Sequence, residues 1–182
     1  MNLPNLLTLS RILMIPLMVI SFYWFGKQGH VIAGVMFVVA SVTDWFDGYL
    51  ARKWNQTSAL GAFLDPVADK LIVAVALVLL VENYATLWLS IPASIIIGRE
   101  IVVSALREWM AELGKRANVA VSYVGKVKTA LQMVSIGFLL GQSLHPWFEF
   151  LGFASLFIAA ALTLWSMVIY LKAAWPELMP KE

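Results

Sequence analysis

Apolar runs long enough to cross a bilayer follow one another along almost the whole of this chain. They lie near Leu6 to Phe25, His30 to Trp54, Ala59 to Leu80, Ala85 to Trp109, Tyr123 to Gly141 and Trp147 to Ala173. Crossing the hydrocarbon takes ~20 mostly apolar residues as a helix, so these runs read as six transmembrane helices with little chain left for a soluble domain. Of 182 residues, 61% are hydrophobic and 13% charged, against roughly 25% charged in soluble domains. Mean hydropathy is +0.82. The expected fold is an all-α integral membrane protein, a single domain over residues 1–182. The first run lacks a basic leader and a small-residue cleavage site and carries Arg11 within it, so it is read as a helix of the fold rather than as a signal peptide. The absence of cysteine excludes disulfides, thiolate metal ligands and a cysteine nucleophile.

Basic residues sort by side. Arg52 and Lys53 follow the second run, Lys115 and Arg116 the fourth, and Lys172 and Lys181 close the chain; the opposite connections hold Lys27 with His30, then Glu82, then His145. The excess of Lys and Arg on one side predicts that both termini are cytoplasmic, and Trp24, Trp54, Trp88, Trp147 and Trp175 near the run ends suit interfacial anchors.

Against this background all four aspartates of the chain, Asp44, Asp47, Asp65 and Asp69, fall within apolar runs two and three. A charge at the centre of a lipid-embedded helix costs about 2.5 kcal/mol or more, so four carboxylates need compensating cations and mark a functional site. Asp44 and Asp47 are three apart and Asp65 and Asp69 four apart, so each pair shares a helix face. An antiparallel hairpin turning around Asn55 to Thr57 would set Asp44 opposite Asp69 and Asp47 opposite Asp65, roughly one to three turns in from the cytoplasmic end. That predicts a polar cavity near the cytoplasmic face. The carboxylates cannot all ionise without positive charge among them, and Arg52 alone does not balance them. All-oxygen ligation favours Mg²⁺ or Mn²⁺, and four carboxylates suit two such ions clamping the oxygens of a phosphoryl displacement. Gly48, Ala51 and Gly61 are small residues on or beside these faces that let helices or a ligand come close.

Written as a pattern, the stretch is Asp44-x2-Asp47-Gly48-x2-Ala51-Arg52-x8-Gly61-x3-Asp65-x3-Asp69. This resembles the signature of the CDP-alcohol phosphotransferases, six-span enzymes that displace CMP from a CDP-linked donor with an alcohol. The resemblance implies that Asp44, Asp47, Asp65 and Asp69 hold the metals and that Asp69 also serves as general base. Gly48, Ala51, Arg52 and Gly61 would line the nucleotide pocket, and homodimerisation would be the assembly.

The motif says little about the acceptor. Arg99 lies deep in an apolar run, Arg107 lies eight residues on, and Lys126 and Lys128 open the fifth run. Together they could bind a phosphate dianion; alternatively Glu100, Glu108 and Glu112 neutralise the arginines and the lysines snorkel. Pro4 to Thr8 with Arg11, Thr43 to Lys70, Arg99 to Lys115 and Gly125 to Thr129 make the whole chain similar to those family members that join CDP-diacylglycerol to sn-glycerol 3-phosphate. Asn5, Thr8 and Arg11 are then expected at the donor headgroup, although Pro4 and Thr8 also suit a helix start and Arg11 a snorkelling role.

The expectation is a Mg²⁺- or Mn²⁺-dependent transferase of the bacterial inner membrane, its active site facing the cytoplasm among membrane lipids and with no nucleic-acid partner. Inositol phosphate is an alternative acceptor. An intramembrane prenyltransferase and a cation or proton transporter are rival readings; the first leaves Asp47-Gly48-x2-Ala51-Arg52 without a role, and the second leaves the four basic residues without one.

Overall fold

The computed structural model describes residues 3–54, 59–114 and 123–178, and all side chains within them except those of residues 3–5, 45–54, 59, 60, 62, 123, 124 and 126. Among the described residues there are six α-helices and no strand: α1 (Leu3–Trp24), α2 (Gly26–Trp54), α3 (Ala59–Tyr84), α4 (Leu87–Glu112), α5 (Tyr123–Leu140) and α6 (Pro146–Leu178), with a 3-10 turn Gln142–Leu144 before α6. The six apolar runs therefore become six helices. The differences are at the ends: α2 starts four residues before His30, and α6 runs on past Ala173.

The turn between α1 and α2 is built by glycine. Gly26 has φ +55, a conformation that carries no Cβ penalty for glycine. One turn on, a Cβ at Gly29 would stand 2.1 Å from the carbonyl oxygen of Ser21, so only glycine lets the start of α2 lie against α1.

Around the bundle the neighbours run α1, α2, α5, α6, α4, α3 and back to α1, with α3 also touching α5 across the middle. Met18, Phe37, Leu77, Ile96, Leu139 and Leu156 are buried in the shared core. A smaller cluster of Val103, Leu106, Met110, Tyr170 and Ala174 joins α4 to α6. The exterior is apolar as well, with Leu13, Val78, Ile101 and Trp165 exposed while Gln132, Ser135, Thr163 and Ser166 are buried. Helices hydrophobic all round are the mark of a membrane setting. Among the described residues three helices, over Leu6–Trp24, Leu87–Glu112 and Pro146–Leu178, are long and apolar enough to cross a membrane. α2 and α3 carry the aspartates, Asp44 and Asp47 on the first and Asp65 and Asp69 on the second. Trp24, Trp88, Trp147 and Trp175 are all exposed at or near helix ends, as the anchor reading expects.

α2 and α3 meet directly, and α1 packs along both, so α1 also supplies side chains between the two acidic helices. The predicted turn Asn55 to Thr57 lies outside the described residues, as do Lys115, Arg116 and Lys181.

Candidate active site

Thr8 and Arg11 are three apart on α1 and share its inward face, both buried. Arg11 donates from Nη1 to Oδ1 of Asp44 on α2, and its Nη2 lies 3.7 Å from Oδ1 of Asp65 on α3. Thr8 donates its hydroxyl to the same Asp65 oxygen. A guanidinium thus sits between carboxylates of two different helices, the compensating charge that the aspartates require. The snorkelling alternative for Arg11 is excluded, because its side chain is 2% exposed and turned to the acidic face. The two aspartates remain open, at 39% and 49%.

Asp69 stands one turn beyond Asp65 and lines a cavity of about 380 Å³ between α3, α4 and α5, together with Lys70, Glu100, Ser104, Thr129 and Gln132. Asp44, Arg11 and Glu100 are near enough for their charges to act on it. Gly61 is buried one turn before Asp65. The side chains of Asn5, Asp47, Gly48, Ala51, Arg52 and Lys126 lie outside the described residues. Among the described residues no three acidic or histidine side chains form a metal-holding group. Asp44 and Asp65 nonetheless converge on one cation, the Arg11 guanidinium, and Asp47 follows Asp44 by one turn of α2. Two carboxylates turned to one cation are all-oxygen donors, the chemistry that hard divalent ions take.

The predicted basic residues divide. Glu100 Oε1 accepts from Arg99 Nη1 at 2.7 Å and from Lys128 Nζ at 2.8 Å, so α4 and α5 are joined by one oxygen holding two cations. Behind it, Arg99 Nη2 donates to Ser166 Oγ at 3.3 Å, and its guanidinium lies 5.5 Å from the Tyr170 ring centre. Lys128 is buried and does not snorkel. Arg107, about 12 Å farther along α4 at 1.5 Å per residue, joins neither the Glu100 bridge nor the cavity wall.

Sequence reading treats Glu100 as one of three neutralising acids and does not single it out as the bridge. Gln132, Ser166 and Tyr170 are not among the residues expected at the site. The signals were polar residues at helical spacing in apolar runs: Lys128, Gln132 and Ser135 mark one buried stripe of α5, and Ser166 with Tyr170 another on α6.

Comparison with known proteins bears on this geometry. A model of the CDP-alcohol phosphatidyltransferase family matches residues 1–168. The chain is 55% identical over 178 residues to the CDP-diacylglycerol--glycerol-3-phosphate 3-phosphatidyltransferase of Escherichia coli (strain K12), covering 98% of this chain and 97% of that protein. The proteins of the same name from Shigella flexneri serotype 5b (strain 8401) and Salmonella choleraesuis (strain SC-B67) are 55% and 53% identical, with the same coverage.

Proposed function

The chain belongs to the CDP-alcohol phosphatidyltransferase family, and we propose that it transfers a phosphatidyl group from CDP-diacylglycerol to sn-glycerol 3-phosphate. The products are phosphatidylglycerophosphate and CMP. The observation that carries this reading is a cavity whose wall takes Asp69 from the acidic side and Glu100, partner of Arg99 and Lys128, from the basic side. A reaction between a diphosphate donor and a phosphorylated alcohol would draw on that juxtaposition.

In the proposed reaction Arg99 and Lys128 hold the acceptor's phosphate, with Arg107 and Lys126 adding positive charge at the approach. Asp69 takes the proton of the primary hydroxyl, which must lie within hydrogen-bond reach of it. The freed oxygen attacks the phosphorus that carries diacylglycerol. The bond from that phosphorus to the oxygen of CMP breaks, and CMP leaves with the electron pair; no covalent enzyme intermediate is needed. Asp44, Asp47, Asp65 and Asp69 would hold Mg²⁺ or Mn²⁺, which supply the charge neutralisation on which phosphoryl transfer chiefly depends. Thr8 and Arg11 fix Asp65 and Asp44 and, with Asn5, face the donor headgroup. Gly48, Ala51, Arg52 and Gly61 form the cytidine side.

The setting of this chemistry is a six-span bundle in the bacterial inner membrane, one domain with both termini cytoplasmic, working as a homodimer. Donor acyl chains stay in lipid while cytidine stays in water, so the site opens laterally to the bilayer and downward to the cytosol. An acceptor panel with CDP-diacylglycerol tests the reading: CMP release is expected with glycerol 3-phosphate and not with glycerol, serine or inositol. Release with a neutral acceptor alone would overturn it, and release with inositol phosphate alone would reassign the acceptor.

A further inference from the structure

Glu100 directly follows Arg99, and neighbouring residues on an α-helix point about 100° apart, so helical spacing does not pair them. The carboxylate instead turns back to place one oxygen on both Arg99 and Lys128. The two cations are nearly sealed, at 7% and 3% exposure, while Glu100 is 29% exposed. Glu100 lines the cavity together with Asp69, Thr129 and Gln132, and neither Arg99 nor Lys128 reaches its wall. An anion entering that cavity therefore meets a carboxylate in front of the cations it would bind. The guanidinium has its own support from α6, through Ser166 Oγ and the face of Tyr170, so Arg99 stays in place when Glu100 moves off.

We propose that Glu100 is a tethered placeholder for the acceptor's phosphate: it caps Arg99 and Lys128 in the substrate-free protein and is displaced only by a stronger anion. The inference rests on reading Arg99 and Lys128 as the acceptor's phosphate site. Two buried cations without a counter-ion are costly, and removing the partner of a buried charge is strongly destabilising; Glu100 supplies that counter-ion until substrate arrives. A phosphate monoester carries a charge of about −1.5 to −2 near neutral pH and three acceptor oxygens, so it can give each cation an oxygen of its own. Glu100 gives them one between them. A neutral alcohol brings no charge with which to displace the cap, and the carboxylate of an amino acid brings only the charge it must replace. Specificity for a phosphorylated acceptor then comes from a built-in competitor as well as from attraction.

The test uses the full-length enzyme in detergent with CDP-diacylglycerol, following CMP release against glycerol 3-phosphate and adding inorganic phosphate as a competing anion. In Glu100→Gln the amide keeps the shape and loses the charge. The KM for glycerol 3-phosphate and the inhibition constant of inorganic phosphate should both fall about fivefold or more, the scale of one charge-assisted hydrogen bond. The KM for the donor should not move with them, and the change should lie in KM rather than in kcat. Unchanged phosphate inhibition, or a rising KM, overturns the placeholder and leaves the acceptor site standing. If phosphate competes with glycerol 3-phosphate in neither protein, the acceptor site itself is lost and the placeholder with it. Should the Gln variant fail to fold, Glu100→Asp keeps the charge but draws it back by one methylene. The same two constants should fall there, and constants that hold or rise count against the proposal.

Discussion

On the side of the bundle formed by α1, α2 and α3, two carboxylates share one guanidinium; where α4 and α5 meet, with α6 behind them, two cations share one carboxylate oxygen. Among the described residues the arrangements are inverted: carboxylates outnumber the cation in the first and cations outnumber the carboxylate in the second. They differ in how that surplus is presented. Asp44 and Asp65 are open, with the shared arginine buried behind them, whereas Arg99 and Lys128 are buried, with the shared carboxylate on the cavity side. In the proposed reaction the acidic face would receive cations, while the basic cluster is capped by Glu100. Clusters of the same type can therefore serve opposite ends of one reaction, one by standing open to its ligand and the other by making its ligand compete.

The harshest way to break this contrast is to take away what the open side receives. In excess EDTA turnover should be abolished, and Mg²⁺ or Mn²⁺ should restore it; persistence of CMP release in EDTA would falsify the metal reading of the aspartates. Next in size is Asp69→Asn. Loss of a general base lowers turnover by about 10²–10⁴-fold, while binding of CDP-diacylglycerol, measured directly in detergent, should survive. Near-normal turnover in that variant would detach Asp69 from the chemistry and leave the cavity as a feature of packing.

The helices were legible because lipid imposes a simple rule, a run of apolar residues for each crossing, and six runs became six helices. The acidic cluster was legible for an energetic reason: carboxylates in an apolar run demand a partner. The partner itself was not. Arg11 lies in another helix, and a sequence does not say which way a long side chain turns when both snorkelling and burial are open to it. Likewise, the packing of α1 along both acidic helices is a tertiary arrangement that spacing within α2 and α3 does not encode. On the basic side, Arg99 and Lys128 were expected together and do meet, but through Glu100. The two ideas held as alternatives, a phosphate pocket and neutralisation by glutamate, occupy the same place. Arg107 shares the helical face of Arg99 by sequence spacing, yet the distance along α4 keeps it out of that bridge.

A smaller effect tests whether the two sides act separately. Arg99→Lys keeps the charge but loses the planar fork that reaches Glu100 and Ser166 at once and stacks on Tyr170. The KM for glycerol 3-phosphate should rise about tenfold, equivalent to about 1.4 kcal/mol, with the donor KM and the Mg²⁺ requirement unchanged. A parallel rise in the donor KM would mean that the basic cluster supports the bundle as a whole rather than one substrate.

The smallest expected change is the mirror image of that test on the acidic side. Thr8→Val removes one hydroxyl, the donor to Asp65 Oδ1, and keeps the side chain's shape. A hydrogen bond to a charged group contributes about 1.5–3 kcal/mol at most, and part of that returns because Arg11 still lies beside the same oxygen. The carboxylate should turn more freely, and groups that orient metal ligands affect affinity by about 10-fold or more when removed. The Mg²⁺ concentration for half-maximal activity should therefore rise several-fold while the KM for glycerol 3-phosphate holds. If both constants move together, Thr8 acts on the packing of α1 against α3; if only the Mg²⁺ requirement moves, the open side answers to metal and the capped side to phosphate.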